Sequence, residues 1–304
     1  MNNYNTHLIS FMKNYIVVTG GAGFVGSNLI EYLIKKTNYD IISIDNYSTG
    51  KTENQLNDKR IKYIKSHTKD ISKVLNRYKK QIKSIFHFGE FARIYQSFLK
   101  MSECINSNTI GSHEVFSFCL TNKIKLIYSA TSATIGNNGN DKNLSPYAFT
   151  KAKNLEMLEN LKKWFNLKFE VIYFYNVYGP RQINKGDMAT VIGIFEHQYK
   201  LNKPLTVVKP GSQSRRFTHI SDTIKICYYA WKQNKCRHYS ISNRHSYTIL
   251  EVAKMFPSKI KLLPKRKGER YASALTNKNL SNKIYKFFGN TNLKDYIKDA
   301  IKGI

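Results

Sequence analysis

A chain of 304 residues, 41% of them hydrophobic, is long enough to bury one large core or two modest ones, in agreement with an enzyme of two lobes. Forty-nine Lys and Arg against 20 Asp and Glu give a formal charge of +29, so a nucleic-acid-binding module stands as the rival to an enzyme. The lysines are scattered, however, in short runs such as KKQIK and KLLPKRK, and heavy use of Lys, Asn, Ile and Tyr fits a compositional bias as well as a binding face.

The first eleven residues are polar and lack the apolar centre of a signal peptide. Met12 stands just before the first strand, so residues 1–12 read as an N-terminal extension. No apolar run reaches the roughly 18 residues of a membrane helix, and a cytoplasmic protein with no membrane partner is expected. In YIVVTGGAGFVGSNLIEYLIKK a short apolar run breaks into Gly20, Gly23 and Gly26 and resumes at helical spacing with Phe24, Leu29, Ile30 and Leu33. Strand, glycine turn and helix make a dinucleotide-binding opening, in which the backbone approaches a pyrophosphate and the first helical amides meet its charge. The spacing is GxxGxxG rather than GxGxxG, and glycines also mark ordinary turns.

The next strand, DIISID, ends at Asp45, nineteen residues past Gly26, where an acid can accept hydrogen bonds from an adenosine ribose. A carboxylate there repels a 2'-phosphate and favours NAD over NADP, although DNYSTG is also rich in turn formers. His87, at the end of SIFHFG, reads as a hydrogen-bonded histidine at a strand end, since no ligand cluster surrounds it, and no metal site is expected. The run IKLIYSAT ends at Thr131, and sixteen residues later Tyr147 stands four before Lys151. On a helix that spacing puts phenol and ammonium on one face, where the positive charge favours a phenolate able to act as a base near neutral pH. Any surface helix can carry the same pair. Past Asn176, PLTVV, RRFTHI and HYSIS with the helices SDTIKICYYAWK and TILEVAKMF suggest a smaller lobe that shares segments with the first. The predicted fold is α/β: a Rossmann-type doubly wound parallel sheet with a smaller, interleaved C-terminal substrate lobe. Residues 13–178 form the dinucleotide domain, with returning segments near 214–242, and 179–304 mainly the second lobe. The four cysteines form no CxxC, as expected of packed, reduced thiols.

Ten segments in order, TGGAGFVG, DNYSTG, KDI, FHFGE, NTIGS, the stretch around Thr131, YAFTK, NVYGPR, SRRFTHISD and RKGE, resemble the extended short-chain dehydrogenase/reductases of the nucleotide-sugar epimerase and dehydratase group. The likeness runs from about Tyr15 to about Leu280 and is greatest to UDP-glucose 4-epimerases. It implies NAD as cofactor, held by Gly20, Gly23, Phe24, Val25, Gly26, Asp45, Asn46, Asp70, Ile71, Phe88, Gly89, Asn108 and Phe174 together with Tyr147 and Lys151. Read without it, Phe88 is core, Asn108 a polar group inside a helix and Asp70 a helix cap. The resemblance further implies that Tyr147 takes a proton from the sugar 4-hydroxyl, that Thr131 hydrogen-bonds the same hydroxyl, and that Lys151 tunes Tyr147 and holds the nicotinamide ribose. The 4-keto sugar then turns over in the pocket and receives the hydride on its other face. Arg215 and Arg266 fall on positions that clamp the nucleotide's pyrophosphate, and Asn176 on one that hydrogen-bonds it.

Departures from the family pattern narrow the reaction. Dehydratases resemble Thr-Asp-Glu where this chain has Thr131, Ser132 and Ala133, so elimination of water lacks its proton carriers. Ile135 replaces a common tyrosine, the loop from Gly136 to Tyr147 is short, and Arg216 replaces an acid. Glu90 follows Gly89 as a further proton carrier or a partner for Arg93, which stands where lysine is common and is counted with the sugar-binding residues. The expected activity is NAD-dependent 4-epimerisation of a nucleotide sugar of the UDP-glucose/UDP-galactose type, with other 4-keto chemistry (reduction, decarboxylation, dehydration) as alternatives. Helix 103–122 and the helix beginning at Ala148 resemble those that pair subunits, so a homodimer is expected.

Overall fold

The computed structural model describes residues 13–268 and 284–303. Strands buried on both faces call for mainly apolar runs, and the chain supplies them in β1 (Tyr15–Thr19), β2 (Asp40–Asp45), β4 (Ile82–His87), β5 (Lys125–Thr131) and β6 (Phe169–Phe174), whereas β3 (Ile61–Lys65), at the sheet's edge, exposes both its lysines. The two-residue β7 (Val177–Tyr178) follows, then β8 (Leu205–Val208), β9 (Ser214–Arg215), β10 (Thr218–His219), β11 (His238–Ser242), β12 (Tyr247–Thr248), β13 (Ile260–Leu263) and β14 (Ile284–Phe288). Eight of these form one sheet in the order β14-β11-β6-β5-β4-β1-β2-β3. Each of its pairings is parallel.

Helices cover both faces. On one, α1 (Phe24–Lys36) and α8 (Ile220–Lys232) bury Leu29, Leu33, Ile224 and Cys227 against Val18, Phe86 and Ile172. On the other, α2 (Ile71–Leu75), α5 (Ser112–Thr121) and α6 (Pro146–Phe165) bury Leu75, Val115 and Leu158 against Val17, Ile85 and Tyr128. Between β4 and α5 run α3 (Ile94–Leu99), α4 (Met101–Ile105) and a π-helical stretch, Asn106–Gly111, so the expected helix 103–122 is present but widened in the middle. The sheet's order reverses between β1 and β4, and the crevice beyond their carboxyl ends is where such folds bind ligands.

A separate core joins Phe195 of α7 (Val191–Lys200), Val207 of β8, Phe217, Val252 and Ala253 of α9 (Ile249–Ala253), and Ile297 of α10 (Leu293–Lys302). This is the smaller lobe. The returning segment near 214–242 joins the main sheet as β11, and β14, from the stretch assigned to the second lobe, extends that sheet further, so the lobes interleave more than the sequence boundaries state. The strand IYKFF sits at the sheet's edge and none of its five residues is fully buried, although four of them are apolar or aromatic. Residues 1–12 and Glu269 of the RKGE segment lie outside the described residues.

Candidate active site

The dinucleotide side is set by close backbone packing. Gly20 adopts a left-handed φ of 68°, and a Cβ there would lie 2.9 Å from the Gly89 backbone. A Cβ on Gly26 would lie 2.1 Å from the Gly20 carbonyl oxygen, so only glycine lets α1 start against the turn. Thr19 locks the end of β4 beside it, its hydroxyl accepting from the amides of Phe88 (3.1 Å) and Gly89 (3.0 Å). No side chain caps α1 at Gly23 and its first turn carries no acid, which leaves the helix's positive end for a phosphate. A nucleotide pyrophosphate fits this cradle. Phe24 and Val25, in that first turn, are half-buried.

Asp45 is buried at the tip of β2, accepting from the amides of Ala22 (3.0 Å) and Tyr47 (2.8 Å). Burial raises its pKa and those amides oppose the rise. It therefore braces the glycine turn besides standing where a ribose acceptor is expected. Asn46 is exposed, its side chain turned back to the Ser48 amide at 3.0 Å. Asp70 is exposed, whereas the Ile71 side chain is wholly buried in the core. Phe88 and Phe174 stack edge to face at 5.4 Å between centroids and are both half-buried at strand ends. Asn108 is fully buried and clamps Phe91 by both backbone groups (2.7 and 3.0 Å), with its amide also on Thr150 at 3.2 Å. It orders the chain behind the cleft.

Helix α6 carries the candidate pair Tyr147 and Lys151. Ser145 caps it by accepting from the Ala148 amide at 3.1 Å, and Pro146 presets its first turn, so Tyr147 is fixed close to a rigid end. Tyr147 packs with Phe91, Cys104, Ala133 and Ala148. Burial pushes its phenol up to about 12, opposed by a hydrogen bond from Thr131; Glu90 adds to the rise and Arg93 opposes it. Thr131, at the carboxyl end of β5, also accepts from the Ala133 amide at 3.2 Å.

Lys151 lies one turn on, as the spacing required, but its charge is directed elsewhere. Its ammonium donates to the Glu90 carboxylate and to the Ser129 carbonyl at 2.5 Å, and it lies 4.7 Å from the centre of the Tyr128 ring. Lys151 is thus engaged by Glu90, which pairs with it rather than with Arg93, while Arg93 opposes the rise of the Tyr147 phenol. His87 is wholly buried, with Nδ1 2.8 Å from the Thr19 hydroxyl and Nε2 3.0 Å from that of Ser112. This is the hydrogen-bonded histidine read from the sequence. Burial pushes it down to about 4, so it is neutral at pH 7.

The remaining residues fall into two groups. Arg93 directs Nε (2.9 Å) and Nη2 (2.5 Å) at the Met188 carbonyl, tying the start of α3 to the segment before α7. Arg266 lies 5.5 Å from the ring centre of Tyr95 on the same helix. Asn176 donates to the Arg216 carbonyl at 3.1 Å, and Arg215 donates to the Ser214 carbonyl at 2.9 Å on the strand paired with β12. Arg216 holds the carbonyls of Asn243 (2.9 Å) and Arg244 (2.8 Å), a loop-bracing part. The network around Glu90, with Ser112, Tyr128 and Asn154, escaped the sequence reading; an acid directly after an apolar strand end was its one visible sign.

The family described as "NAD dependent epimerase/dehydratase family" matches residues 16–242. The chain belongs to that family. An uncharacterised UDP-glucose epimerase of Bacillus subtilis is 31% identical over 236 residues, 69% of this chain and 70% of that protein. An ADP-L-glycero-D-manno-heptose-6-epimerase of Brachyspira hyodysenteriae is 29% identical over 258 residues, 79% of each chain. Among solved structures, a UDP-glucuronic acid 4-epimerase from Bacillus cereus, in complex with UDP-glucuronic acid and NAD, is 25% identical with a TM-score of 0.80, over 95% of this chain and 99% of that one. The chain is an NAD-dependent enzyme of the nucleotide-sugar epimerase/dehydratase type. None of the helices among the described residues is long and apolar enough to cross a membrane.

Proposed function

We propose that the enzyme inverts carbon 4 of a UDP-sugar through a 4-keto intermediate. The observation that carries this reading is Tyr147 buried in the first turn of α6, its phenol's rise opposed by Thr131 from the end of β5, with Ser132 and Ala133 where an elimination would need two acids. NAD, held in the glycine cradle, would supply reversible hydride chemistry at carbon 4. Tyr147 takes the hydroxyl proton and later gives it back, Thr131 orients the hydroxyl, and Lys151 holds the nicotinamide ribose. The half-buried Arg93, with Asn176, Arg215 and Arg266, forms the nucleotide and sugar side. Relatives named for UDP-sugars support the nucleotide, and the heptose-6-epimerase keeps epimerisation at another carbon as a second reading. Exposed Met101, Ile105, Ile110, Phe149 and Met157 on α4, the π-helical stretch and α6 support pairing of two copies through that face.

The test is incubation with UDP-, GDP-, ADP- and dTDP-sugars followed by product identification. Equilibration of a 4-epimer pair without net use of NADH is expected, and the Tyr147→Phe variant should lose at least about 100-fold in turnover while still binding NAD. Loss of water, or net reduction, would replace this reading.

A further inference from the structure

Glu90 is a buried acid next to Lys151 to which that reaction gives no task. Its side chain is 2% exposed, and donors converge on it from β5, α5 and α6. Oε1 accepts from Ser112 (2.8 Å), Tyr128 (3.0 Å) and Asn154 (3.3 Å), while Oε2 takes the Lys151 ammonium and stands 3.5 Å from the Ser129 hydroxyl. His87 is 4.0 Å away but is kept uncharged by burial, so Lys151 is the cation that balances Glu90. Both oxygens of this carboxyl group are occupied as acceptors, and the ammonium beside it has little freedom to move.

The consequence is one of charge. Lys151 alone would bury a full positive charge beside the nicotinamide, and oxidised nicotinamide is itself a cation whereas the reduced ring is neutral. Like charges at such range in a protein interior discriminate by tenfold or more. We propose that Glu90 is a positioning residue that pins Lys151 and cancels its charge, so that the cleft holds oxidised NAD in preference to NADH. An enzyme that must start each cycle with the oxidised form is served by this bias. The inference rests on the preceding reading only in placing the nicotinamide beside Tyr147 and Lys151.

Dissociation constants for NAD and NADH, measured by calorimetry on the full chain, decide it. Relative to the unmodified protein, Glu90→Gln should lower the ratio Kd(NADH)/Kd(NAD) about tenfold, about 30 mV in the bound two-electron couple. Lys151→Met should raise that ratio, and the double variant, free of both charges, should restore it even though both forms bind more weakly. Should Glu90→Gln fail to fold, Lys151→Met and the double variant suffice, since removing both members of a buried pair is far milder than removing one. Ratios within twofold of the unmodified protein in Glu90→Gln, or in Lys151→Met, would overturn the proposal. Shifted ratios with no turnover of any nucleotide sugar would leave it standing and sink the epimerase reading instead.

Discussion

The two walls of the cleft are made in different ways. The dinucleotide wall is backbone against backbone, with Gly20, Gly26 and Gly89 so close that a single Cβ would collide with main-chain atoms. The wall proposed for the sugar would be built instead from long side chains, with Arg93 on one carbonyl, Arg266 over an aromatic ring, and Asn176 and Arg215 on neighbouring main-chain oxygens. The first wall cannot change without moving the sheet, whereas the second can be re-equipped at small cost to the fold. That difference is why the cofactor follows from the family while the sugar does not.

The largest effect that tests this contrast is at Gly26. Alanine there should cost roughly 4 kcal/mol and abolish NAD binding, because its Cβ would lie 2.1 Å from the Gly20 oxygen and neither backbone can yield. A loss under 1 kcal/mol in urea unfolding would show that the wall is not set by packing.

A smaller effect arises at His87, just behind the same wall. Its pKa falls from 6.5 to about 4 because burial disfavours the charged ring. Between those values the unfolded chain binds a proton that the folded chain refuses, so stability from this group is full above pH 6.5 and is lost as pH falls toward 4, by about 3 kcal/mol. Urea unfolding at pH 7 and pH 4 should show a pH dependence smaller by about that amount in His87→Gln. An identical pH dependence in the variant would mean that the ring is not held neutral.

The smallest belongs to the other wall. Arg266 is exposed, and Arg266→Ala should raise KM about three- to tenfold with kcat and unfolding unchanged, the signature of lost uniform binding. A fall in kcat instead would place Arg266 among groups that act in the transition state.

What the sequence disclosed follows the same division. The glycine turn, Asp45 and the Tyr147–Lys151 pair are local patterns, each contained in one strand, turn or helix whose geometry is fixed by its own residues. The Lys151–Glu90 pair joins residues 61 apart, and the Arg93–Met188 tie residues 95 apart, so neither has a local signature. The sequence therefore identified Lys151 as a cation on the correct helix face but not the anion it meets. Edge strand β14 escaped notice because its partner β11 ends more than 40 residues earlier and most of its positions are not buried. The core strands, all of whose neighbours are apolar, were readable as runs.

β3, at the opposite margin of the sheet from β14, offers no further partner among the described residues and displays Lys62 and Lys65 to solvent. Bare amides along such a margin invite another chain to anneal, and an ammonium every few residues makes that approach repulsive. Two of the chain's many lysines thus stand where their charge opposes edge-to-edge pairing, a placement that requires no anionic partner.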